Sequence, residues 1–155
     1  MTRSTQVAPD RPGILVGLKA ESRLIRQVFP HAAIAASGAT RTGAQREAAS
    51  LAAWLDPAFP PGTLIVPERV MAWGTPYVCD PTLRHILGAG QPDVQGKSLL
   101  HSDTVVLDAA EKARLFGASQ CTALDMESGF LARAAEEAGL PFAVLRVVCD
   151  PAGRS

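Results

Sequence analysis

Short apolar runs alternate along this chain with stretches that place apolar residues on one helical face, and that alternation limits the fold more than any other feature of the sequence. Ile14-Leu15-Val16-Gly17-Leu18 reads as a strand buried on both faces, and Leu24, Ile25 and Val28 mark one side of a helix starting near Glu21. Further strands are expected at residues 32–36, 63–66, 104–107, 122–124 and 142–148, the last nearly all apolar and therefore central. Between them an alanine-rich helix is expected over 43–54. Asp80 and Pro81 then open a short helix that Gly88 and Gly90 end, and Asp108 with Glu111 resembles a capping box for a helix through Phe116. The clearest helix runs from Glu127 to Ala138, with Phe130, Leu131, Ala134 and Ala135 on one stripe and Gly139 at its stop. The order predicts an α/β fold: a three-layer α/β/α sandwich around a mostly parallel, mixed sheet. Residues 1–12 are read as a flexible arm and residues 13–155 as a single domain.

The charge balance narrows the partners. Lys plus Arg and Asp plus Glu are 15 each, so no basic field exists to attract a nucleic-acid backbone or an anionic membrane. Arg146 interrupts the longest apolar run, which is in any case far too short to span a bilayer, and the first residues lack the apolar segment of a signal peptide. The cytoplasm is the expected compartment. Cys79, Cys121 and Cys149 are widely spaced, with no C-x-x-C pair, and are read as reduced, buried thiols. His31, His85 and His101 are scattered and read as ordinary histidines, so no metal is expected.

In open α/β sheets the ligand crevice lies outside the carboxyl ends of the strands. Glu21 follows the first strand, Asp125 and Glu127 follow the strand ending at Leu124, and Asp150 follows the last. Taken singly, each acid is better explained as a helix N-terminal or solvated loop residue; their shared place in the topology favours a site. The loop from Ser37 to Gly43 offers Gly38 and Arg41 to an anion. It is not a nucleotide-triphosphate loop, because Ala44 and Gln45 stand where Lys and Ser or Thr are required. Ser102-Asp103 precedes the expected strand at 104–107 and reads by itself as a turn, and no serine sits in a nucleophile elbow.

These residues carry a resemblance. Gly13-Ile-Leu-Val-Gly-Leu-Lys-Ala-Glu21 resembles the first strand and catalytic glutamate of methylthioadenosine nucleosidases and related phosphorylases. Ser102-Asp103-Thr-Val-Val resembles their S-x-D or S-D segment, Leu124-Asp125-Met126-Glu127-Ser128 their D-M-E or E-M-E motif, and Leu145-Arg-Val-Val-Cys-Asp150 their closing R-x-x-S-D strand. The chain thus resembles the nucleoside phosphorylase and nucleosidase superfamily from Gly13 onward. Leu55-Asp56-Pro57 and Asp150-Pro-Ala-Gly-Arg154 are most similar to hopanoid-associated phosphorylases.

The resemblance implies that Glu127 holds the ribose 2′ and 3′ hydroxyls with Met126 under the sugar, that Asp125, Ser102 and Asp103 border the substrate, and that Asp150 protonates the purine at N7. It implies a nucleoside substrate, inorganic phosphate as co-substrate with no other cofactor, and a homo-oligomer, since family members commonly pair subunits to complete the site. Glu21 matches the glutamate that activates water in nucleosidases, which keeps hydrolysis open beside phosphorolysis. Relatives carry a further strand and a glycine-rich G-x-A-G-G-L loop before the segment matching Leu55-Asp56-Pro57, and a C-terminal helix past the segment matching Asp150; the comparison implies that both are missing here. Three functions follow as expectations: phosphorolysis of a purine nucleoside, with adenosylhopane as the substrate suggested by the branch; hydrolysis of such a nucleoside; and purine binding without catalysis.

Overall fold

A computed structural model describes residues 13–16, 26–27, 33–36, 52–56, 58–60 and 62–150. The chain divides into two compact units, residues 1–42 and 43–155. In the first, β1 (Gly13–Val16) pairs in parallel with β2 (Ala33–Ala36), each residue from Gly13 to Val16 facing one from Ala33 to Ala36. Parallel neighbours need a crossover between them, and Arg26 and Gln27 in that interval are helical.

The second unit is built on an eight-stranded mixed sheet. Its strands are β3 (Ala52–Trp54), β4 (Leu64–Ile65), β5 (Arg69–Ala72), β6 (Thr75–Val78), β7 (Val94–Gln95), β8 (Ser98–His101), β9 (Ala123–Asp125) and β10 (Arg146–Asp150). They lie in the order β6-β5-β8-β9-β3-β10-β4-β7. The strands β5, β8 and β9 run parallel; β3 is antiparallel to β9, and β10 is parallel to β3.

Period-two alternation sorts the apolar residues of this sheet into two layers. Val70, Leu99 and Ala123 lie side by side in register, and so do Met71, Leu100 and Leu124 one step along. The first row packs with Ala132 and Leu131 of helix α3 (Ser128–Ala138), together with Ile65, Ala72, Tyr77 and Val144. The second packs with Leu115 and Phe116 of helix α2 (Ala109–Ser119), together with Leu55, Val106 and Cys121. A helix on each face of a mixed sheet is the layered α/β arrangement expected from the sequence.

The helix ends follow their capping chemistry. For the short helix α1 (Pro81–Ile86), Asp80 accepts from the Leu83 N–H at 2.8 Å, and proline occupies the first turn, where a missing N–H costs nothing. Asp108 accepts from the Glu111 N–H at 3.1 Å to start α2, and α3 stops at Gly139 with φ 66°.

Several stretches differ from the sequence reading, among them the last strand, which covers 146–150 instead of 142–148. Ala52–Trp54, expected as the end of a helix, is strand β3 and lies between β9 and β10. Alanine's helix preference loses there to pairing on both sides of the segment. Residues 104–107 are not a strand; the strand is β8, one step earlier, so Ser102-Asp103 follows a strand instead of preceding one. The β5–β6 hairpin was not anticipated. It turns on Trp73 (φ 50°) and Gly74 (φ 76°), a two-residue turn that needs left-handed backbone at both positions and is usually marked by Asn-Gly.

Leu99 is fully buried in the centre of its row. Leu99→Ala should therefore destabilise the second unit by about 2–5 kcal/mol. Urea denaturation reads this as a fall in midpoint at constant slope, and a loss under about 1 kcal/mol would contradict the packing described.

Candidate functional site

Because β5, β8 and β9 are parallel, their carboxyl ends share one edge of the sheet. The chain leaves them at Trp73, at Ser102-Asp103 and at Met126-Glu127, and α3 begins at the same edge. The strand β10 runs the opposite way, so it delivers its first residue, Arg146, to that edge.

Arg146 joins two acids there. Its Nε donates to Asp125 Oδ2 at 2.7 Å and its Nη2 to Glu127 Oε2 at 2.9 Å. The Asp125 side chain is 1% exposed, against 17% for Arg146 and 25% for Glu127. An ionised carboxylate so far from water needs a paired cation and saturated lone pairs. Asp125 has both: besides Arg146, it accepts from the Ser128 N–H at 3.1 Å and from the Ser128 hydroxyl. Met126, between the two acids, is half-buried.

Beside this group lies an aromatic cluster. His101, 6% exposed at the end of β8, faces Asp125 in register. Its Nδ1 accepts from the Gly129 N–H at 3.2 Å and its Nε2 lies 3.0 Å from Asp103 Oδ1. The other oxygen of Asp103 accepts from Trp73 Nε1 at 2.9 Å. The Trp73, His101 and Phe130 rings pack at centroid distances of 4.8–5.2 Å, with the Arg133 guanidinium 4.4 Å from the Trp73 centroid. The Trp73 indole N–H first, and His101 second, hold the Asp103 carboxyl below its ordinary range. Ser102 makes a local turn, its Oγ donating to the Thr104 carbonyl at 2.6 Å, while its N–H donates to the Asp125 carbonyl at 2.8 Å.

The structure thus brings Asp125, Met126, Glu127, Ser102 and Asp103 to one edge. Asp150 lies on another strand. It ends β10, and its backbone is in register with Ala53, which faces Leu124, the neighbour of Asp125. That is two strand spacings from β9, roughly 10 Å. The register shifts between Val148 and Asp150, where Cys149 is an extra residue in the strand. Glu21, Gly38 and Arg41 lie outside the described residues.

Arg146 and His101, both at this edge, were not singled out as site residues from the sequence. Arg146 was visible as the only charge within the apolar run at 142–148. His101 had a weaker signal, a polar residue ending a short apolar run, which is as common for a plain turn. Among the described residues no three His, Cys, Asp or Glu side chains gather as a metal site would require. An open depression of about 410 Å³, lined by Phe59, Leu64, Asp93 and Gln95 among others, sits by β4 and β7 and contains none of the candidate residues.

Removing the guanidinium would leave Asp125 buried without its cation. Arg146→Ala should cost about 3–5 kcal/mol in chemical denaturation. Arg146→Lys should recover only part of it, because one ammonium lacks the fork that reaches both acids. A loss below about 1 kcal/mol in the alanine variant would contradict the role given to Arg146. Asp103, with its lowered value, favours folding above the usual aspartate range and loses that contribution as pH falls through the lowered value. Asp103→Asn should accordingly flatten the acid limb of the stability curve below about pH 4, and an unchanged limb would contradict it.

Comparison with known proteins agrees with this layout. The fold is similar to a futalosine hydrolase mutant of Helicobacter pylori strain 26695 (TM-score 0.74, 14% identity, 93% of this chain and 89% of that one). It is also similar to the 5′-methylthioadenosine/S-adenosyl homocysteine nucleosidase of Campylobacter jejuni (TM-score 0.75, 15% identity, 94% and 87%). The S-adenosylhomocysteine nucleosidase of Streptococcus pyogenes is a third such structure (TM-score 0.72, 18% identity, 92% and 84%). A search of curated protein sequences gives no match. Among the described residues no helix is long and apolar enough to cross a membrane. The family model described as the Phosphorylase superfamily matches residues 49–155, which include the whole acid and arginine group, and this chain belongs to that superfamily.

Proposed function

We propose that this chain cleaves the N-glycosidic bond of a purine nucleoside, with inorganic phosphate as the attacking co-substrate and no other cofactor. The observation that supports this most directly is the Glu127 carboxylate, held by Arg146 at the carboxyl edge of the sheet in a member of the Phosphorylase superfamily. Cleaving such a bond builds positive charge on the ribose and negative charge on the departing base. The site therefore needs an anion at the sugar and a proton donor at the base.

In this reading Glu127 accepts hydrogen bonds from the ribose 2′ and 3′ hydroxyls, and Met126 packs under the sugar. Asp125 keeps Arg146 in place, and Arg146 in turn fixes Glu127. Asp150 gives its proton to the purine N7, and Ser102 and Asp103 border the substrate. Gly38 and Arg41 hold phosphate. The branch resemblance at Leu55-Asp56-Pro57 and at 150–154 favours adenosylhopane as substrate, releasing adenine in hopanoid biosynthesis. The expected cytoplasmic location and a paired subunit completing the site belong to the same reading.

Hydrolysis is the second reading. It is favoured by the neighbouring folds named as nucleosidases and as a futalosine hydrolase, and by Glu21, which would activate water. Chromatographic assay of adenine release with and without phosphate separates the two. Turnover that requires phosphate supports the first, and turnover indifferent to phosphate overturns it in favour of the second. Purine binding in calorimetry with no turnover of any nucleoside would leave the third expectation, a binding protein.

Asp150→Asn should lower kcat by about 10²- to 10⁴-fold, the usual contribution of a general acid. Glu127→Gln should lower kcat/KM roughly 10- to 100-fold, as expected for a charged hydrogen bond to substrate. Unchanged turnover in either variant would reject the corresponding assignment.

A further inference from the structure

We infer that His101 is a positioning residue that caps helix α3 from the neighbouring strand β8 and thereby holds Glu127, at the head of that helix, in place for the ribose. The inference rests on the reading that Glu127 contacts the sugar. It starts from an elementary demand: the first N–H groups of a helix have no partner within it and must find acceptors elsewhere. The residue at the N-cap of α3 is Glu127, with φ −118° and ψ −33°, and its side chain makes no capping hydrogen bond. Its carboxylate goes to Arg146. The capping is done by others: the Ser128 N–H donates to Asp125 and the Gly129 N–H to His101 Nδ1 at 3.2 Å.

Only one form of the imidazole fits. The Gly129 amide is a donor, so Nδ1 must carry a lone pair, and the proton sits on Nε2, which donates to the acceptor-only Asp103 carboxylate at 3.0 Å. Asp103 is itself fixed by Trp73 Nε1 at 2.9 Å. Trp73 occupies left-handed backbone, with φ 50°, a conformation that a bulky residue adopts only when its surroundings compel it. Here the indole lies between Asp103, the His101 and Phe130 rings and the Arg133 guanidinium. The imidazole is also pressed against the helix backbone: a Cβ at Gly129 would come within 2.4 Å of His101 Cγ. The residue after the helix start is glycine because the cap needs that space. An unbroken set of contacts runs from the β5–β6 turn through Asp103 and His101 to the first turn of α3, one residue beyond Ser128 and two beyond Glu127.

Two variants of the full chain separate a capping role from one of filling space. The side-chain oxygen of His101→Asn reaches the place of Nδ1 and accepts from Gly129, whereas His101→Leu fills the volume with no acceptor. The expected result is a KM for the nucleoside close to wild type with Asn and roughly tenfold higher with Leu, the size of one lost buried hydrogen bond, with kcat less affected. Leu equal to or better than Asn would overturn the inference. The ¹⁵N spectrum of the wild-type imidazole gives a second reading that does not depend on activity. An unprotonated Nδ1 correlated with the Gly129 amide proton at neutral pH is expected, and a protonated Nδ1 would overturn the inference. If Glu127→Gln leaves the kinetics unchanged, the nucleoside reading fails, and with it the purpose given to the cap. The imidazole spectrum then still decides whether the cap itself exists.

Discussion

One guanidinium between two carboxylates is the constraint on which the rest of the site depends. Asp125 is 1% exposed, and a charge so placed costs several kcal/mol unless a cation and hydrogen-bond donors replace the water it has lost. Arg146 supplies the charge and Ser128 supplies two donors. The cation can reach Asp125 only because β10 runs against β9 with β3 between them, so that the start of one strand meets the end of the other. The mixed character of the sheet is therefore part of the site: a wholly parallel sheet would bring only strand ends to this edge.

The same arginine leaves Glu127 with a fixed direction, and the helix that Glu127 heads is fixed in turn by groups outside it. Asp125 and His101 take its first two N–H donors, and Trp73 and Asp103 hold His101. Nearly every polar group at the edge is thus held by a residue from another element. On the proposed role of Glu127, such cross-bracing would keep its carboxylate in position without ordering it anew at each encounter with substrate, which is how preorganised sites reduce the cost of binding. The left-handed backbone at Trp73 fits this picture, since strained conformations persist where surrounding contacts over-determine them.

Much of this was legible in the sequence, and the exceptions have physical causes. The caps at Asp80 and Asp108 and the helix stopped by Gly139 follow from short-range chemistry and stand where expected. The D-M-E segment was legible because it combines a buried strand end with a helix start. The strand at 98–101 was missed because Thr104-Val105-Val106-Leu107 carries stronger β propensity, yet pairing with β5 and β9 selects the weaker segment. That one misplacement hid the position of Ser102-Asp103 and the importance of His101. The strand β3 was read as helix because alanine is uninformative once tertiary pairing decides. Strand direction cannot be read locally at all, so nothing in the sequence showed that Arg146, at the beginning of β10, would meet the D-M-E acids.

On the proposed function, the edge formed by Asp125, Glu127 and Arg146 is where a ribose binds. A crystal structure of the chain with a purine nucleoside soaked in tests it most directly. The ribose 2′ and 3′ hydroxyls should lie about 2.5–3.0 Å from the Glu127 carboxylate oxygens, with Arg146 still joining Glu127 to Asp125. A nucleoside seated elsewhere, with its sugar out of reach of Glu127, would contradict the account.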